Sequence, residues 1–224
     1  MNNITIIPIK NLPEFSPEYD LADELIKGFE NNNIALKDND VIVVTQKIVS
    51  KVENRLIENN FENIEELIEK ESLEILRKRG DTIIARTKHG FICANAGIDK
   101  SNIKKGSVLL LPEDPDKTSR DIQKKIEYNT NKKVSVIISD TFGRAWRKGQ
   151  TNVAIGSSGI EPLESYIGEK DAFDNELFAT EIAIIDELAG AAELVMKKSD
   201  NIPVAILRGV NYKSSDLGVR ELIR

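Results

Sequence analysis

Two stretches of the sequence, residues 93–102 and 137–152, carry the residue types best suited to binding a metal ion. Each begins with an apolar run that predicts a buried strand, and each then turns polar at an aspartate, Asp99 or Asp140. Hydroxyl and amide side chains follow both aspartates. Mg²⁺ and Mn²⁺ take hard oxygen ligands of this kind in near-octahedral geometry. The two aspartates are therefore the first candidates for a divalent metal site, although most aspartates at strand ends cap helices or close turns.

The second stretch also places three cations, Arg144, Arg147 and Lys148, within eight residues of Asp140. Arginine forks suit phosphate and carboxylate groups, and glycines on both sides favour a loop that closes on an anion. The segment is not a Walker A loop, because no Gly-Lys-Ser/Thr follows its glycines. A basic loop that is simply solvated is the alternative. The residues alone predict a site where a metal and a basic loop hold a phosphate together.

Four further residues have a chemical and a structural interpretation. Lys47 and Lys51 follow a predicted buried strand, and open sheets bind ligands at strand ends, although lysines there are usually solvated. His89 is the only histidine and is predicted to be a turn residue. Cys93 is predicted to be a small buried apolar residue, because no histidine or second cysteine lies near it in the sequence.

Composition limits the classes of function. The chain has 224 residues with a net charge of −6, which argues against general nucleic-acid binding, since that requires a broad basic surface. No apolar run approaches the roughly 18 residues of a membrane span. A single cysteine excludes an internal disulfide and fits a reducing cytoplasm.

The elements that must position these residues alternate without a strict order, which predicts an α+β or mixed α/β fold in one domain over residues 1–224. Val41 to Val44 is too apolar for a half-exposed strand and is predicted to be central, whereas Pro8 marks an edge strand. Asp20 is the expected N-cap of the first helix. Strands are predicted at 4–9, 41–44, 82–87, 91–94, 107–111, 134–139, 153–155 and 203–207. Helices are predicted at 21–29, in one or two pieces between 60 and 80, after the turn at 114–116, and at 176–198.

The last predicted helix is apolar over most of its circumference, which indicates burial in a core or in a dimer interface. Its charged residues Asp186 and Glu187 are predicted either to pair at such an interface or to reach into the site. On residues alone, the chain is thus a cytoplasmic, metal-dependent enzyme that acts on phosphorylated or carboxylated small molecules.

The sequence resembles the coenzyme F420:L-glutamate ligase family. The resemblance rests on residues 43–51, 95–102 and 139–144 with 149–152, and it continues at 170–173, 180–181, 186–189 and 208–209. These segments occur in order and span nearly the whole chain, which is more specific than any one short motif.

The resemblance implies a ligase that adds L-glutamate, through an amide bond, to the lactyl carboxylate of the deazaflavin precursor F420-0 with GTP as co-substrate. Further γ-linked glutamates can follow in the family. It also implies an intertwined homodimer of α+β subunits and two sites for Mn²⁺ or Mg²⁺, often with K⁺. The alternatives are a related amide ligase with another carboxylate or nucleotide, and a binding protein that has lost catalysis.

The family's functional positions transfer to this sequence as follows. Asp99, Asp140 and Thr141 would hold the metals, with the two aspartates catalytic. The nucleotide would contact Leu12, Pro13, Glu14, Phe15, Gln46, Lys47, Lys51 and Asn102. From its charge we add Arg144 as a catalytic cation.

Two features depart from longer relatives. The redox domain that some of them carry after the ligase domain is not expected here. The tail segment 213–216 falls where the family closes a loop over the nucleotide, and its residues do not match that loop one by one.

Overall fold

The computed structural model describes residues 3–58, 63–101 and 103–224. Its strands are β1 (Thr5–Ile9), β2 (Asp40–Thr45), β3 (Leu56–Glu58), β4 (Ser72–Arg79), β5 (Thr82–Thr87), β6 (Ile92–Ala94), β7 (Ser107–Leu109), β8 (Val134–Arg144), β9 (Arg147–Ser158), β10 (Glu164–Ser165), β11 (Glu181–Ile182) and β12 (Val204–Arg208). Its helices are α1 (Leu21–Asn31), α2 (Gln46–Val52), α3 (Ile64–Lys70), α4 (Pro115–Thr130) and α5 (Ile184–Met196), with 3₁₀ turns at Asn95–Gly97 and Val219–Leu222. The α+β class is confirmed. In this described part of the chain, no helix combines the length and apolarity that crossing a bilayer requires.

A five-stranded sheet with the order β1-β12-β2-β8-β9 forms the centre of the molecule. Only β2 and β8 run parallel, and every other neighbouring pair in this sheet is antiparallel. The predicted edge strand and central strand are both confirmed, because β1 lies at one edge and Val41 to Val44 of β2 are fully buried. Asp40 at the start of β2 is buried too, and Arg208 compensates its charge with two hydrogen bonds of 2.8 and 2.7 Å.

Two helices that pack around this sheet, α1 and α4, begin where the sequence predicts. Asp20 caps α1, since its Oδ1 accepts from the N–H of Asp23 at 3.1 Å. Asp114 caps α4 in the same way, with Pro115 in the first turn, where its missing N–H costs nothing. Helix α4 packs on β8 and β9, and α5 packs on β9, β12 and β1.

A smaller sheet, β4-β5-β6, carries its own core of Ile68, Ile83, Ala85 and Ala96 together with α3. The prediction of one or two helices between residues 60 and 80 is wrong in its second half, because only α3 is helical and the following residues form β4. Residues 60–62 of that prediction lie outside the described residues. The pairing of β4 with β5 supplies backbone hydrogen bonds that a second helix would lose, so tertiary pairing overrides the helical spacing.

The long helix predicted at 176–198 is also shorter than expected. It begins only at Ile184, because Glu181–Ile182 pairs instead with Glu164–Ser165 as a small antiparallel ladder. One face of α5 is buried, as predicted, and includes Ile185 and Leu188. Leu194 on another face is 72% exposed.

Candidate functional site

Asp140 lies within β8 rather than at its end, which corrects the prediction of a strand over residues 134–139. The parallel neighbour β2 stops earlier, since its last residue, Thr45, pairs with Ser139. Beyond this point β8 pairs only with β9, where Asp140 lies opposite Val153. Asp140 and Thr141 therefore emerge at the carboxyl edge of the parallel pair, which is where open sheets bind ligands.

The carboxyl group of Asp140 is in an environment that disfavours its charge. Burial is the main cause that raises its pKa to about 7, and the nearby carboxylate of Asp99 acts in the same direction. A hydrogen bond from the backbone of Thr141 and the positive charges of Lys47 and Lys198 act in the opposite direction but do not restore the ordinary value. An added cation beside Asp140 would therefore be strongly favoured.

Asp99 is positioned by a tight turn between β6 and β7. Three successive residues, Asn95, Ala96 and Gly97, have left-handed φ angles of 52°, 53° and 72°. A Cβ at Gly97 would lie 2.7 Å from the side chain of Leu111, so the turn requires glycine there for both reasons. Asp99 then exchanges two backbone hydrogen bonds of 2.9 Å with Leu109, which fixes its direction.

The carboxylate of Asp99 is paired, in contrast to that of Asp140. Its Oδ2 accepts from Nζ of Lys47, and its Oδ1 accepts from the N–H of Ser101 at 2.7 Å. Burial opposes ionisation, but these two donors outweigh it and hold the pKa of Asp99 below its ordinary value. Lys47 also donates to Ser101 Oγ at 3.0 Å.

Two cavities meet at Asp140, and Asp99 lines one of them. The first, of about 240 Å³, is lined on one side by Leu12 to Phe15 and Lys51. The second, of about 470 Å³, is lined by residues of 93–101 and by Phe142, Gly143 and Gln150. Four residues line both cavities, namely Lys47, Asp140, Thr141 and Lys198. The cavities therefore form one cleft, with Asp140 at the junction.

A hydrogen-bonded network on the α5 side holds this junction, and the sequence did not reveal it. Thr141 donates to Asn152 Oδ1 at 2.7 Å, and Asn152 donates to Glu193 at 2.9 Å. Lys198 contacts both Thr141 and Asn152 and lies 3.1 Å from Glu193. The only signal was the polar segment 197–201, which separates an apolar helix from a buried strand.

The donor set at the junction fits Mg²⁺ or Mn²⁺. Asp99 and Asp140 supply carboxylates, and Thr141 and Ser101 supply hydroxyl oxygens. Within residues 3–58, 63–101 and 103–224, no three His, Cys, Asp or Glu side chains cluster in a way that could hold a metal ion. Sites with one or two carboxylates and substrate phosphates are typical of Mg²⁺.

The predicted interpretations of Cys93 and His89 agree with the structure. Cys93 is buried, and burial followed by the charge of Asp140 raises the pKa of its thiol to about 12, so it is a neutral apolar lining residue. His89 lies in the turn between β5 and β6, and its Nε2 is 2.8 Å from the carbonyl of Pro112.

Most of the predicted nucleotide-binding residues meet in the first cavity. Leu12, Pro13, Glu14, Phe15, Lys47 and Lys51 line it. Gln46 does not, because its side chain is buried and bonds to Ser50 at 2.8 Å. Asn102 lies outside the described residues. The tail segment 213–216 does not line the cleft, whereas the segment Met196 to Lys198 and Asn201 to Pro203 does.

The structure does not bring the basic segment to the aspartates. The exposed tip of the β8–β9 hairpin carries Arg144, Arg147 and Lys148. The segment was expected to be a loop that closes on an anion, but it is the turn between two long strands. Arg144 donates to the carbonyl of Lys148 at 2.7 Å. Trp146 at the same tip is fully exposed and has a φ of 56°.

Comparison with known proteins agrees with the resemblance in the sequence. The profile of the family described as F420-0:Gamma-glutamyl ligase matches residues 10–209. A coenzyme F420:L-glutamate ligase from Methanocaldococcus jannaschii is 42% identical and covers 89% of this chain and 90% of its own length. The enzyme of that name from Methanothermobacter thermautotrophicus is 37% identical over 99% of this chain and 96% of its own. A coenzyme F420:L-glutamate ligase from Methanococcus maripaludis is 42% identical, and the match covers 92% of this chain and 88% of the length of that enzyme.

Proposed function

We infer that the chain, which belongs to the F420-0:gamma-glutamyl ligase family, joins L-glutamate to coenzyme F420-0. The near full-length similarity to curated ligases carries this conclusion. The cleft supports it, because a ligase of this kind must bring a nucleotide and a carboxylate together, and here two cavities meet at Asp140, with Asp99 lining the second.

We propose that the reaction passes through an acyl phosphate. A carboxylate is a poor electrophile, so an oxygen of the lactyl carboxylate attacks the γ-phosphorus of GTP and GDP leaves. The amine of glutamate then attacks the acyl carbon, phosphate leaves, and the nitrogen loses a proton as the amide forms. Positioning and charge stabilisation are the main tasks of the protein in such a transfer.

The two cavities suit the two partners of this transfer. GTP would occupy the first cavity, where Lys51 would face the phosphates and residues 12–15 line the same cavity. The lactyl end of F420-0 would occupy the second cavity beside Asp99. The γ-phosphate would then lie at the junction next to Asp140, where Lys47 and Lys198 carry positive charge.

We propose that Asp99, Asp140 and Thr141 hold Mn²⁺ or Mg²⁺ in two sites, with K⁺ as a further ion. When bound, such ions polarise phosphoryl oxygens and neutralise developing negative charge. Lys47 keeps Asp99 ionised and oriented through its contact with Oδ2. Lys51 contacts Glu14 across the first cavity and is the residue best placed to exchange that partner for a phosphate.

The remaining expectations are also part of the proposal. The active form would be a homodimer in the cytoplasm, and exposed side chains such as Trp146 and Phe173 would be covered by the second subunit. Arg144 stays a proposed catalytic cation only if a second subunit brings it to a cleft.

The test is a ligation assay on the full chain with F420-0, L-glutamate, GTP and Mn²⁺. We expect GDP release together with a gain of one or more glutamyl residues on F420-0, measured by mass spectrometry. ATP in place of GTP, and a simple lactyl phosphodiester in place of F420-0, test nucleotide and substrate choice. Folded protein that releases GDP without any glutamyl product would contradict the proposed function.

A further inference from the structure

A third cavity, of about 370 Å³, lies against the second one and is not used by the proposed reaction. Phe142 lines both cavities. The other walls are mostly apolar and come from four separate parts of the chain. They include Ile92, Val153, Leu222, Ile223 and Asp186.

Two aromatic residues that pack on each other, Phe91 and Phe142, line this cavity. Phe142 packs edge-to-face on Phe91, with ring centroids 6.0 Å apart and an interplanar angle of 77°. Phe91 in turn stacks on His89 at 5.7 Å and is itself buried. Rings held in this way are poorly able to move aside and favour a flat aromatic ligand.

Two charged residues, Asp186 and Arg224, line this otherwise apolar surface. Oδ1 of Asp186 accepts from the N–H of Ala154 at 2.8 Å, which fixes the orientation of the carboxylate. The described part of the chain supplies no hydrogen-bond donor to Oδ2. A carboxylate oxygen in an apolar pocket recognises an N–H donor on a ligand, because leaving it unpaired there is costly.

The distance from the reacting group fits the substrate. Phe142 is two residues beyond Asp140 on a regularly paired part of β8, so both side chains point to one face, roughly 7 Å apart. In F420-0 the deazaflavin ring is joined to the lactyl group through a ribityl phosphate, so the ring must lie well away from the reacting carboxylate.

We propose that the third cavity binds the deazaflavin ring of F420-0, with the imide N–H of its pyrimidinedione edge donating to Asp186. The proposal rests on the proposed function and deepens it by assigning the end of the substrate that does not react. The second cavity then holds the polar ribityl-phospholactyl chain, and Phe142 lies between the two compartments.

Two variants of the full chain test this assignment in the ligation assay. Ile92→Ala shortens an apolar wall whose side chain is 55% exposed, and Asp186→Asn keeps Oδ1 as an acceptor but replaces Oδ2 by a donor. We expect the KM for F420-0 to rise about tenfold in each, with the KM for GTP unchanged within about twofold. Leu73→Ala, an exposed residue on β4, is the matched control and should change neither constant.

A binding measurement separates the ring from the rest of the substrate. The deazaflavin riboside, which lacks the phospholactyl group, should bind wild-type protein, as followed by its fluorescence, and should compete with F420-0. It should bind Ile92→Ala and Asp186→Asn about tenfold more weakly.

The outcomes distinguish this proposal from the proposed function. If wild-type protein ligates glutamate but both variants keep the wild-type KM for F420-0, the ring lies elsewhere and only the assignment fails. If the variants instead lower the dimer fraction in size-exclusion chromatography without changing riboside binding, the cavity is covered by a second copy and the assignment fails. If wild-type protein binds riboside but makes no glutamyl product, the function fails.

Discussion

The two halves of the cleft are built in opposite ways. Asp140 lies on β8, an interior strand of the central sheet. Strand β8 pairs with β2 on one side as far as Ser139 and with β9 on the other side. Asp99 follows a turn of three left-handed residues, Asn95 to Gly97, in the connection between two small sheets. The first half is rigid because of the sheet, and the second is rigid only because of that turn and its two bonds to Leu109.

Their electrostatics differ in the same way. Burial raises the pKa of Asp140, whereas Lys47 and the N–H of Ser101 outweigh burial and lower the pKa of Asp99. Among the residues that the structure describes, no Lys or Arg side chain forms an ion pair with Asp140, whereas Lys47 forms one with Asp99. If the pair holds a metal as proposed, the added cation would favour the ionised form of Asp140 more than that of Asp99, which Lys47 already keeps ionised.

The largest expected effect is on catalysis. Asp140→Asn should lower kcat/KM for ligation by about a thousandfold or more, and Asp99→Asn by about a hundredfold, because transition-state charge loses its stabilisation. GDP release measures both. Asp121→Asn, which removes only an exposed ion pair with Lys117 on α4, is the control. Near-normal turnover in Asp140→Asn would remove this residue from the metal site.

The next effect is on stability, and the two variants should differ in sign. Without metal, wild-type Asp140 titrates near 7 when folded but near 4 when unfolded, so the folded state binds more protons and stability falls as pH rises between these values. Asp140→Asn avoids this loss and should be more stable than wild type at pH 8, by roughly 4 kcal/mol at most. The two proteins should converge below pH 4.

Asp99→Asn should show the reverse. Its folded pKa is lowered, so ionised Asp99 contributes stability above its unfolded pKa that is lost as pH falls through the folded pKa. The variant should therefore be less stable than wild type at pH 8, and the difference should close in acid. Thermal melts at several pH values, with and without Mn²⁺, measure the stability of the three proteins. Mn²⁺ should stabilise wild type more than either variant. Shifts of equal sign in both variants would refute the contrast.

The sequence predicted one half of this contrast better than the other. The apolar run before Asp140 has one interpretation as a buried strand, and strand β8 confirms it. The region around Asp99 was harder, because the helical spacing of Ile75 and Leu76 could not reveal that β4 would pair with β5. Lys198 and Glu193 were missed since their closeness to Thr141 depends on how α5 packs on β9, which no local pattern encodes.

A smaller effect tests the turn that holds Asp99. Gly97→Ala places a Cβ 2.7 Å from Leu111 at a φ of 72°, and should cost about 2 kcal/mol of unfolding free energy and reduce ligation about tenfold. Gly190→Ala on α5 is the matched change in the other half of the molecule. Its Cβ would meet nothing closer than 3.6 Å, so it should gain about 0.5–1 kcal/mol and keep activity. Chemical denaturation compares the two, and equal losses would mean that the turn is not specially constrained.

The smallest effect should come from a substitution at the tip of the β8–β9 hairpin, which lies outside both halves of the cleft. Arg144 was predicted to be catalytic from its charge and spacing, yet its guanidinium donates to Lys148 at the exposed tip and lines neither cavity of the cleft. A cation exposed to water and outside the cleft is screened from the reacting phosphate. We therefore expect Arg144→Ala to change kcat/KM by less than about threefold. The opposite result would be a loss of kcat/KM of a hundredfold or more in Arg144→Ala, with activity regained when this variant forms mixed dimers with Asp140→Asn subunits. That result would mean that the hairpin tip of one subunit completes the cleft of the other.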